Sequence, residues 1–324
     1  MSSQVYCKSG VSSATLLRSL GKPPCRTAYR LALLTLSSLR KRKGPRRPGR
    51  RARPPCGPGC RRTRNNFTPI MSLLLPDGER AQVAQPPAVI DGALSINIRK
   101  HSSVVKTLDE LAAEGAFANW VNVSGLTGHL DNLTDNDKEL LDLLTARDML
   151  QFLRRAVLQC RNIIVAGKTG SGKTTFARSL IDCVPSLERL LTIEDVHELF
   201  LPNHPNRVHM IYGKGAGRMS ATECIEAAMR SSPDRIFLSE LRGPEAWDYL
   251  NALNTGHPGS VTTTHANSAP DSFERVALLV KQSTAGNQMD LDTIRRYLFS
   301  TLDISLYFAD YKLTQVYFNP GRVL

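Results

Sequence analysis

Acidic residues are absent from the first part of this 324-residue chain. Residues 1–66 hold 17 lysines and arginines and no aspartate or glutamate, whereas residues 67–324 hold 25 basic and 29 acidic side chains. Spread over a folded body, the formal charge of +13 would indicate a nucleic-acid or membrane-surface binder. Because the excess is confined to residues 1–66, the remaining body is mildly acidic and gives no such indication.

Long apolar runs are absent as well. No run reaches the roughly 18 to 20 residues that a membrane-spanning helix needs. The stretch LALLTLSSL, residues 31–39, is too short and starts too late for a signal peptide, and basic residues follow it instead of a cleavage site. We therefore expect a cytoplasmic body that touches a membrane only through partners.

Paired cysteines are missing from the body. Cys160, Cys183 and Cys224 are scattered and form no CxxC pair, which indicates a reducing compartment without structural disulfides. In the basic head, Cys56 and Cys60 could ligate a metal ion, but no second pair of ligands follows at the spacing of a zinc site. The sequence therefore predicts no zinc centre.

The composition changes at Phe67. Residues 1–66 contain RKRKGPRRPGRRARPPCGPGCRRTR, have no periodic apolar face and are predicted to form a disordered basic head. Such an acid-free head also resembles an organellar transit peptide, for which the body offers no support. From Phe67 onward the sequence predicts strands broken by turns, with Leu94, Ile96 and Ile98 on one face of ALSINIR.

An α/β pattern occupies the rest of the chain. TLDELAAEG predicts a helix that ends at Gly115, and the polar stretch LTGHLDNLTDND predicts a linker within residues 123–145. After residue 145 strands alternate with helices, from NIIVAG and KTTFARSLIDCV to ISLYFAD and TQVYF. This alternation favours an α/β core with a largely parallel sheet.

The strongest motif lies between the strand NIIVAG and the helix that follows it. Residues 167–174, GKTGSGKT, fit the phosphate-binding pattern G-x-x-x-x-G-K-[ST] in the strand–helix context that the pattern requires. Backbone amides of such a loop cradle phosphates, Lys173 would reach the β and γ phosphates, and Thr174 would hold Mg²⁺. The cofactors predicted are ATP and Mg²⁺. The predicted nucleotide-binding residues in this loop are Gly167, Lys168, Thr169, Gly170, Ser171, Gly172, Lys173, Thr174 and Thr175.

Three later segments offer residues for hydrolysis. Glu194 and Asp195 end one predicted strand, Glu240 ends another, and His257 and His265 flank a third. Ligands of open α/β sheets bind at such carboxyl ends. Each residue also has a structural interpretation, since acids cap helices and a strand-end histidine is more often structural than catalytic.

In their order and their sequences, these segments resemble those of the secretion traffic ATPases. The phosphate loop, TIEDVHEL, PDRIFLSELRGPEA and TGHPGSVTTTHA match the Walker A, Asp box, Walker B and His box of that superfamily. The resemblance implies that Glu240 polarises the attacking water and that Glu194 helps to arrange water and metal. It implies that His265 senses the γ-phosphate.

Within that superfamily the chain most resembles the hexameric ATPase of type IV secretion systems. LPDGERAQVAQPPAV and SINIRK are similar to the second half of that family's N-terminal domain, and Arg99 matches an arginine placed near the nucleotide. A four-cysteine zinc motif and an Ala-Ile-Arg-Ala-Glu signature, typical of related motors, are absent. The expected domains are a remnant of the N-terminal domain at 67–122, the linker at 123–145 and a RecA-like P-loop domain at 146–324.

The resemblance also implies partners and a location. We expect a homohexamer at the cytoplasmic face of the bacterial inner membrane, working with inner-membrane components of a secretion machine. Its transported substrate would be protein or DNA.

Two departures from the family pattern stand out. Ser232 occupies a position where the family often has a second arginine, which leaves Arg230 without that neighbour. Residues 1–66 do not resemble the first half of the N-terminal domain. We expect this head to derive from a frameshift or a misplaced start upstream of Phe67.

Two other functions compete with a motor. A P-loop kinase of a small molecule would transfer phosphate to an acceptor, but it gives no reason for the His box. A nucleic-acid-binding protein would use the basic head, and its affinity would fall steeply with salt.

Overall fold

The computed structural model of the chain describes residues 2–8, 69–74, 79–91, 93–99, 104–125, 133–213 and 217–320. The chain divides into two compact units, Met1–Ser102 and Ser103–Leu324. The predicted division, with a remnant at 67–122 and a linker at 123–145, differs from this one.

The first unit contains an antiparallel sheet with the strand order β1-β4-β3-β2. Its strands are β1 Ser2–Lys8, β2 Ile70–Leu74, β3 Arg80–Ala84 and β4 Ala93–Arg99. Ala81, Val83 and Leu94 are buried in it. The strands predicted after Phe67 are therefore present, whereas the predicted turn at residues 76–78 lies outside the described residues.

Strand β1 corrects one sequence-based expectation. Ser2–Lys8 pairs with β4 over its whole length, although residues 1–66 were predicted to be disordered. The prediction of disorder rested on the arginine- and proline-rich composition of the whole head. The segment SSQVYCK precedes the arginine-rich part and contains the β-favouring residues Val5 and Tyr6. The remainder of the head, residues 9–66, lies outside the described part of the chain.

The second unit alternates strands and helices as predicted. Its described strands are β5 Val121–Asn122, β6 Ile163–Ala166, β7 Leu190–Glu194, β8 Arg207–Ile211, β9 Arg235–Leu238, β10 Val261–Thr264, β11 Ile304–Ala309 and β12 Lys312–Phe318. Its described helices are α1 Leu108–Ala113, α2 Asp135–Thr145, α3 Met149–Leu158, α4 Lys173–Ile181, α5 Ala221–Met229, α6 Glu245–Asn254, α7 Ala269–Val280, α8 Thr284–Gln288 and α9 Leu291–Thr301.

Two strand groups make up the core of this unit. One has the order β10-β6-β11-β12-β5 and the other β8-β7-β9. All neighbouring strands run parallel except the β11–β12 hairpin. Strands β6, β7, β9 and β10 are buried at every position, as expected for strands covered on both faces. The predicted α/β fold with a largely parallel sheet is confirmed.

Hydroxyl groups join the two strand groups along β9 and β10. Ser260 Oγ donates to the carbonyl of Ile236 at 2.6 Å, and Thr262 Oγ1 donates to the carbonyl of Leu238 at 2.7 Å. Thr263 Oγ1 continues the row at 2.8 Å from the oxygen of Ser239. The serine and threonines of GSVTTTH therefore give the buried carbonyls of β9 the partners that a backbone ladder would otherwise provide. This contact brings the ends of β9 and β10 side by side.

Helix α2 occupies much of the segment predicted to be a linker. Thr134 accepts from the amide of Asp137, whose carboxylate accepts in return from the Thr134 amide, and this capping box starts the helix. Leu140 and Leu144, one turn apart, are buried in the core of the second unit. The prediction of a linker missed this helix because an aspartate, instead of the more usual glutamate or glutamine, completes the capping box. Within the described residues, no helix is both long and apolar enough to cross a membrane.

Candidate nucleotide site

The phosphate loop connects β6 to α4. Any other residue at position 167 would displace the backbone at Phe308, since a Cβ there would lie 2.2 Å from the carbonyl oxygen of Phe308. Gly172 is the N-cap of α4 in the left-handed region (φ 97°), and no side chain caps this helix. The first amides of α4 are consequently left to an anion, as in other phosphate-binding helix starts.

Lys173 is held inside this loop. Lys173 is buried, with 7% of the residue exposed, and its ammonium donates to the carbonyls of Gly167 at 2.7 Å and Lys168 at 2.9 Å. The Nζ atom also lies 3.3 Å from Nδ1 of His265, which follows β10. The parallel pairing of β10 with β6 therefore places the predicted histidine directly at the phosphate loop.

Glu240 lies on the other side of His265. Its Oε1 is 2.9 Å from Nε2 of His265, and its Oε2 accepts from Arg242 at 2.5 Å. Arg242 also reaches Asp195 at 2.6 Å. A continuous row of polar side chains thus runs from Asp195 through Arg242, Glu240 and His265 to Lys173.

Arg242 is a site residue that the sequence did not reveal. Burial alone would lower the pKa of Arg242, but the hydrogen bond with Glu240 and the charges of Glu240 and Asp195 outweigh burial and raise it. The side chain therefore stays a cation between two carboxylates. The available signal was a basic residue two positions after the strand-end glutamate in SELRG.

Glu194 has a different set of neighbours. It is fully buried, and its carboxylate accepts from Thr192 Oγ1 and from the amides of Glu198 and Leu199 at 2.6 and 2.7 Å. His197 Nδ1 approaches it at 3.1 Å and His209 Nδ1 at 3.6 Å. Glu194 thus holds the segment after β7, while Asp195 joins the row that contains Glu240.

The surroundings of Glu194 determine its charge. Burial would raise the pKa of Glu194, but hydrogen bonds from His197, His209 and two backbone amides outweigh burial and lower the pKa to about 2. Ligand atoms of Glu194, His197 and His209 lie within 4.8 Å of one another, a spacing that a metal ion could bridge. Hydrogen bonds already satisfy the carboxylate of this cluster.

The remaining predicted residues lie in other places. Arg99 ends β4 of the first unit with an exposed side chain. His257 Nδ1 lies 3.2 Å from the carbonyl of Pro233, so its described contact is that of a turn residue. Arg230, the C-cap residue of α5, forms an exposed pair with Glu226 at 3.8 Å. The functional roles of all these residues stay predictions.

Two buried hydroxyls show that the loop suits a polar ligand. Ser171 Oγ and Thr264 Oγ1 have no hydrogen-bond partner within the described residues. Ser171 belongs to the phosphate loop, and Thr264 pairs with Ala166, the last residue of β6. Buried polar groups are normally satisfied, so two unpaired hydroxyls beside the loop indicate a ligand with acceptor oxygens. Together with Lys173 and the uncapped helix start, they fit a nucleotide phosphate.

A family model described as "Type II/IV secretion system protein" matches residues 133–303. The chain belongs to this family. The matched residues include the phosphate loop, Glu194, Glu240 and His265.

Individual family relatives give the same result. The type IV secretion system protein VirB11 of Brucella suis is 44% identical over 241 residues, which cover 73% of this chain and 65% of the relative. VirB11 of Bartonella henselae is 41% identical over 266 residues, which cover 78% of this chain and 74% of the relative. The chain thus spans about two thirds to three quarters of these relatives' length.

Solved structures agree on the fold. The crystal structure of the Brucella suis VirB11 ATPase, in complex with sulphate, is 41% identical with a TM-score of 0.55 and covers 78% of this chain and 77% of that one. The ATPase DotB of Yersinia pseudotuberculosis, at 18% identity and a TM-score of 0.51, covers 97% of this chain and 74% of that one and supports the fold alone. The family's RecA-like core is therefore confirmed.

Proposed function

We propose that the chain hydrolyses ATP and drives a type IV secretion machine. The observation that carries this proposal is the row Lys173–His265–Glu240, because it joins the phosphate loop to a carboxylate at the end of the neighbouring strand. ATP hydrolysis needs a cation to bind the phosphates and a group to position the attacking water. A phosphate-binding lysine and a nearby glutamate after a strand supply these two groups.

Each residue of the row has a separate task. Lys173 and the amides at the start of α4 bind the phosphates. Glu240 accepts a hydrogen bond from the attacking water and orients it. His265 senses the γ-phosphate and contacts Glu240 at 2.9 Å, so that it links the phosphate to the carboxylate. Arg242 holds Glu240 and Asp195 in place. Bound Mg²⁺ would neutralise phosphate charge, with Thr174 as its protein ligand. Glu194 would help to arrange water and metal indirectly, by holding the segment that carries Asp195.

The family resemblance supports a particular assembly. We propose a homohexamer at the cytoplasmic face of the inner membrane, in which Arg99 contributes to nucleotide binding as the family resemblance implies. Inner-membrane components of the machine would be its direct partners, and protein or DNA its transported substrate. Neither the small-molecule kinase nor the nucleic-acid-binding function is supported by the relatives.

Two substitutions test the site. We expect Lys173→Ala to lose ATP binding, because the ammonium on the phosphates is removed, and Glu240→Gln to bind ATP while turnover falls by at least about 100-fold. The measurements are phosphate release and equilibrium binding of ATP. Glu274→Gln, which removes an exposed carboxylate of α7 that pairs with Arg295 at 2.9 Å, is the matched control and should hydrolyse ATP normally.

The contrary results are distinct. Full hydrolysis by Glu240→Gln would remove Glu240 from the mechanism. Phosphate transfer to a small acceptor, without release of inorganic phosphate, would identify a kinase.

A further inference from the structure

The turn between β11 and β12 has an unusual residue at its tip. Asp310 and Tyr311 both have positive φ angles, of 49° and 62°. Two-residue hairpin turns with two positive φ angles favour asparagine, aspartate and glycine, whereas a bulky aromatic residue there is strained. Tyr311 is nevertheless held in this conformation, so the surrounding structure must offset the cost.

The phosphate loop provides that support. The amide of Tyr311 donates to the carbonyl of Ser171 at 3.0 Å. Its ring lies over Gly172, since a Cβ on that glycine would be 2.8 Å from Cδ1 of Tyr311. The hairpin tip therefore packs against the residue that starts α4.

Packing does not account for the aromatic ring. Phe308, in the same hairpin, is 2% exposed and stacks on Phe176 of α4 at 4.6 Å between ring centroids. Tyr311 instead is 66% exposed. Phe308 thus fastens the hairpin to the helix, and Tyr311 presents an aromatic surface beside the loop.

Strand order indicates which part of a nucleotide would reach this surface. His265 and Glu240, which mark the γ-phosphate end, follow β10 and β9 on one side of β6. Strand β11 is the neighbour of β6 on the opposite side. A nucleotide with its phosphates on the loop and its γ-phosphate toward His265 extends away from His265, and the β11–β12 tip lies on that side of β6.

We propose that Tyr311 is the stacking surface for the purine base of the bound nucleotide. This proposal rests on the proposed function and adds a residue for recognising the base to the residues for binding phosphate. An exposed ring suits the task because every purine has an aromatic face, and the conformation of the turn fixes the ring with little loss of entropy on binding.

The decisive variant is Tyr311→Asn. Asparagine tolerates positive φ, so the turn keeps its conformation and loses only the ring. We expect affinity for ADP to fall by about 5- to 150-fold, the loss typical of one base–aromatic stack, while affinity for inorganic tripolyphosphate is unchanged. Tyr311→Phe should bind both like the wild type. Asp310→Asn, a change at the neighbouring turn position that leaves the ring, is the matched control.

Two results would overturn the proposal. One is a Tyr311→Asn variant that binds ADP as the wild type does. The other is an equal loss of affinity for ADP and tripolyphosphate, which would show that the ring only shapes the loop. Failure of the wild-type chain to bind either compound would instead refute the proposed function itself.

Discussion

Single buried charges decide much of the chemistry in this chain. Glu194 is a fully buried carboxylate that is kept ionised by two backbone amides and by His197 and His209. In the unfolded chain the same carboxyl returns to its ordinary pKa of 4.5. Because the folded pKa is lower, ionised Glu194 stabilises the fold above the unfolded pKa. That contribution is lost as the pH falls from 4.5 toward 2.

Glu194→Gln should therefore change the acid limb of stability. We expect the free energy of unfolding of the wild type to fall between about pH 5 and pH 2, with roughly 3 kcal/mol of this fall due to Glu194. The variant should be less stable at pH 7 and should show a correspondingly shallower decline. Chemical unfolding at several pH values measures the difference, with Glu226→Gln as the exposed control. An acid limb of unchanged slope in Glu194→Gln would contradict this account.

Residues with local signals could be predicted, and residues with distant partners could not. Gly167, Lys173 and Glu240 were predicted as site residues because a loop pattern or a strand end marks them in the sequence, and the structure brings Lys173 and Glu240 to opposite sides of His265. No sequence pattern distinguishes Arg235, yet it is 1% exposed and forms a bidentate ion pair with Glu188 at 2.7 and 3.0 Å. Because Glu188 lies 47 positions away, the sequence around Arg235 gives no indication of this ion pair.

At the scale of elements, the contact between β9 and β10 determines whether the site exists. It places Glu240 beside His265, and it depends on side-chain hydroxyls. Thr262 and Thr264 belong to the same strand and are both buried, but within the described residues only the Thr262 hydroxyl has a hydrogen-bond partner. The two threonines therefore allow a paired and an unpaired buried hydroxyl to be compared within one strand.

Thr262→Val should destabilise the unliganded protein, whereas Thr264→Val should not. Valine has nearly the shape of threonine, so each change removes mainly the hydroxyl. Thr262→Val leaves the buried carbonyl of Leu238 without its donor and should cost about 1 to 3 kcal/mol. Thr264→Val removes an unpaired buried hydroxyl and should be neutral or stabilising. Unfolding by denaturant provides the measurement, and equal losses in both variants would refute a specific role for the hydroxyl row.

The order of elements was predictable, whereas their limits were less so. Buried runs such as IIVA and RIFL are short and apolar, and helices follow them in regular alternation, so the parallel core could be inferred. Helix α2 and strand β1 were missed because a polar or basic neighbourhood masked a capping signal in one case and a short β-favouring run in the other. Pairing with β4, more than 80 positions away, fixes β1 and has no local signal.

At the scale of the whole molecule, family membership and exposed apolar residues bear on assembly. Large apolar side chains are exposed in both units, among them Ile90 at 78% and Leu187 at 90%. Single exposed residues of this kind are common and do not define an interface. The proposed hexamer therefore rests on the resemblance to the type IV secretion ATPases and has to be measured.

Assembly should respond to nucleotide if six copies bind ATP better than one does. By mass action, a ligand that prefers the ring stabilises it in proportion to the logarithm of its concentration. We expect Glu240→Gln with ATP to sediment as a stable species of six times the 35.7 kDa chain, because bound ATP persists. Lys173→Ala should dissociate at a higher protein concentration than the wild type, since it cannot gain this stabilisation. If all three proteins sediment identically with and without ATP, nucleotide does not control assembly; if none exceeds a dimer, this chain does not form the ring by itself.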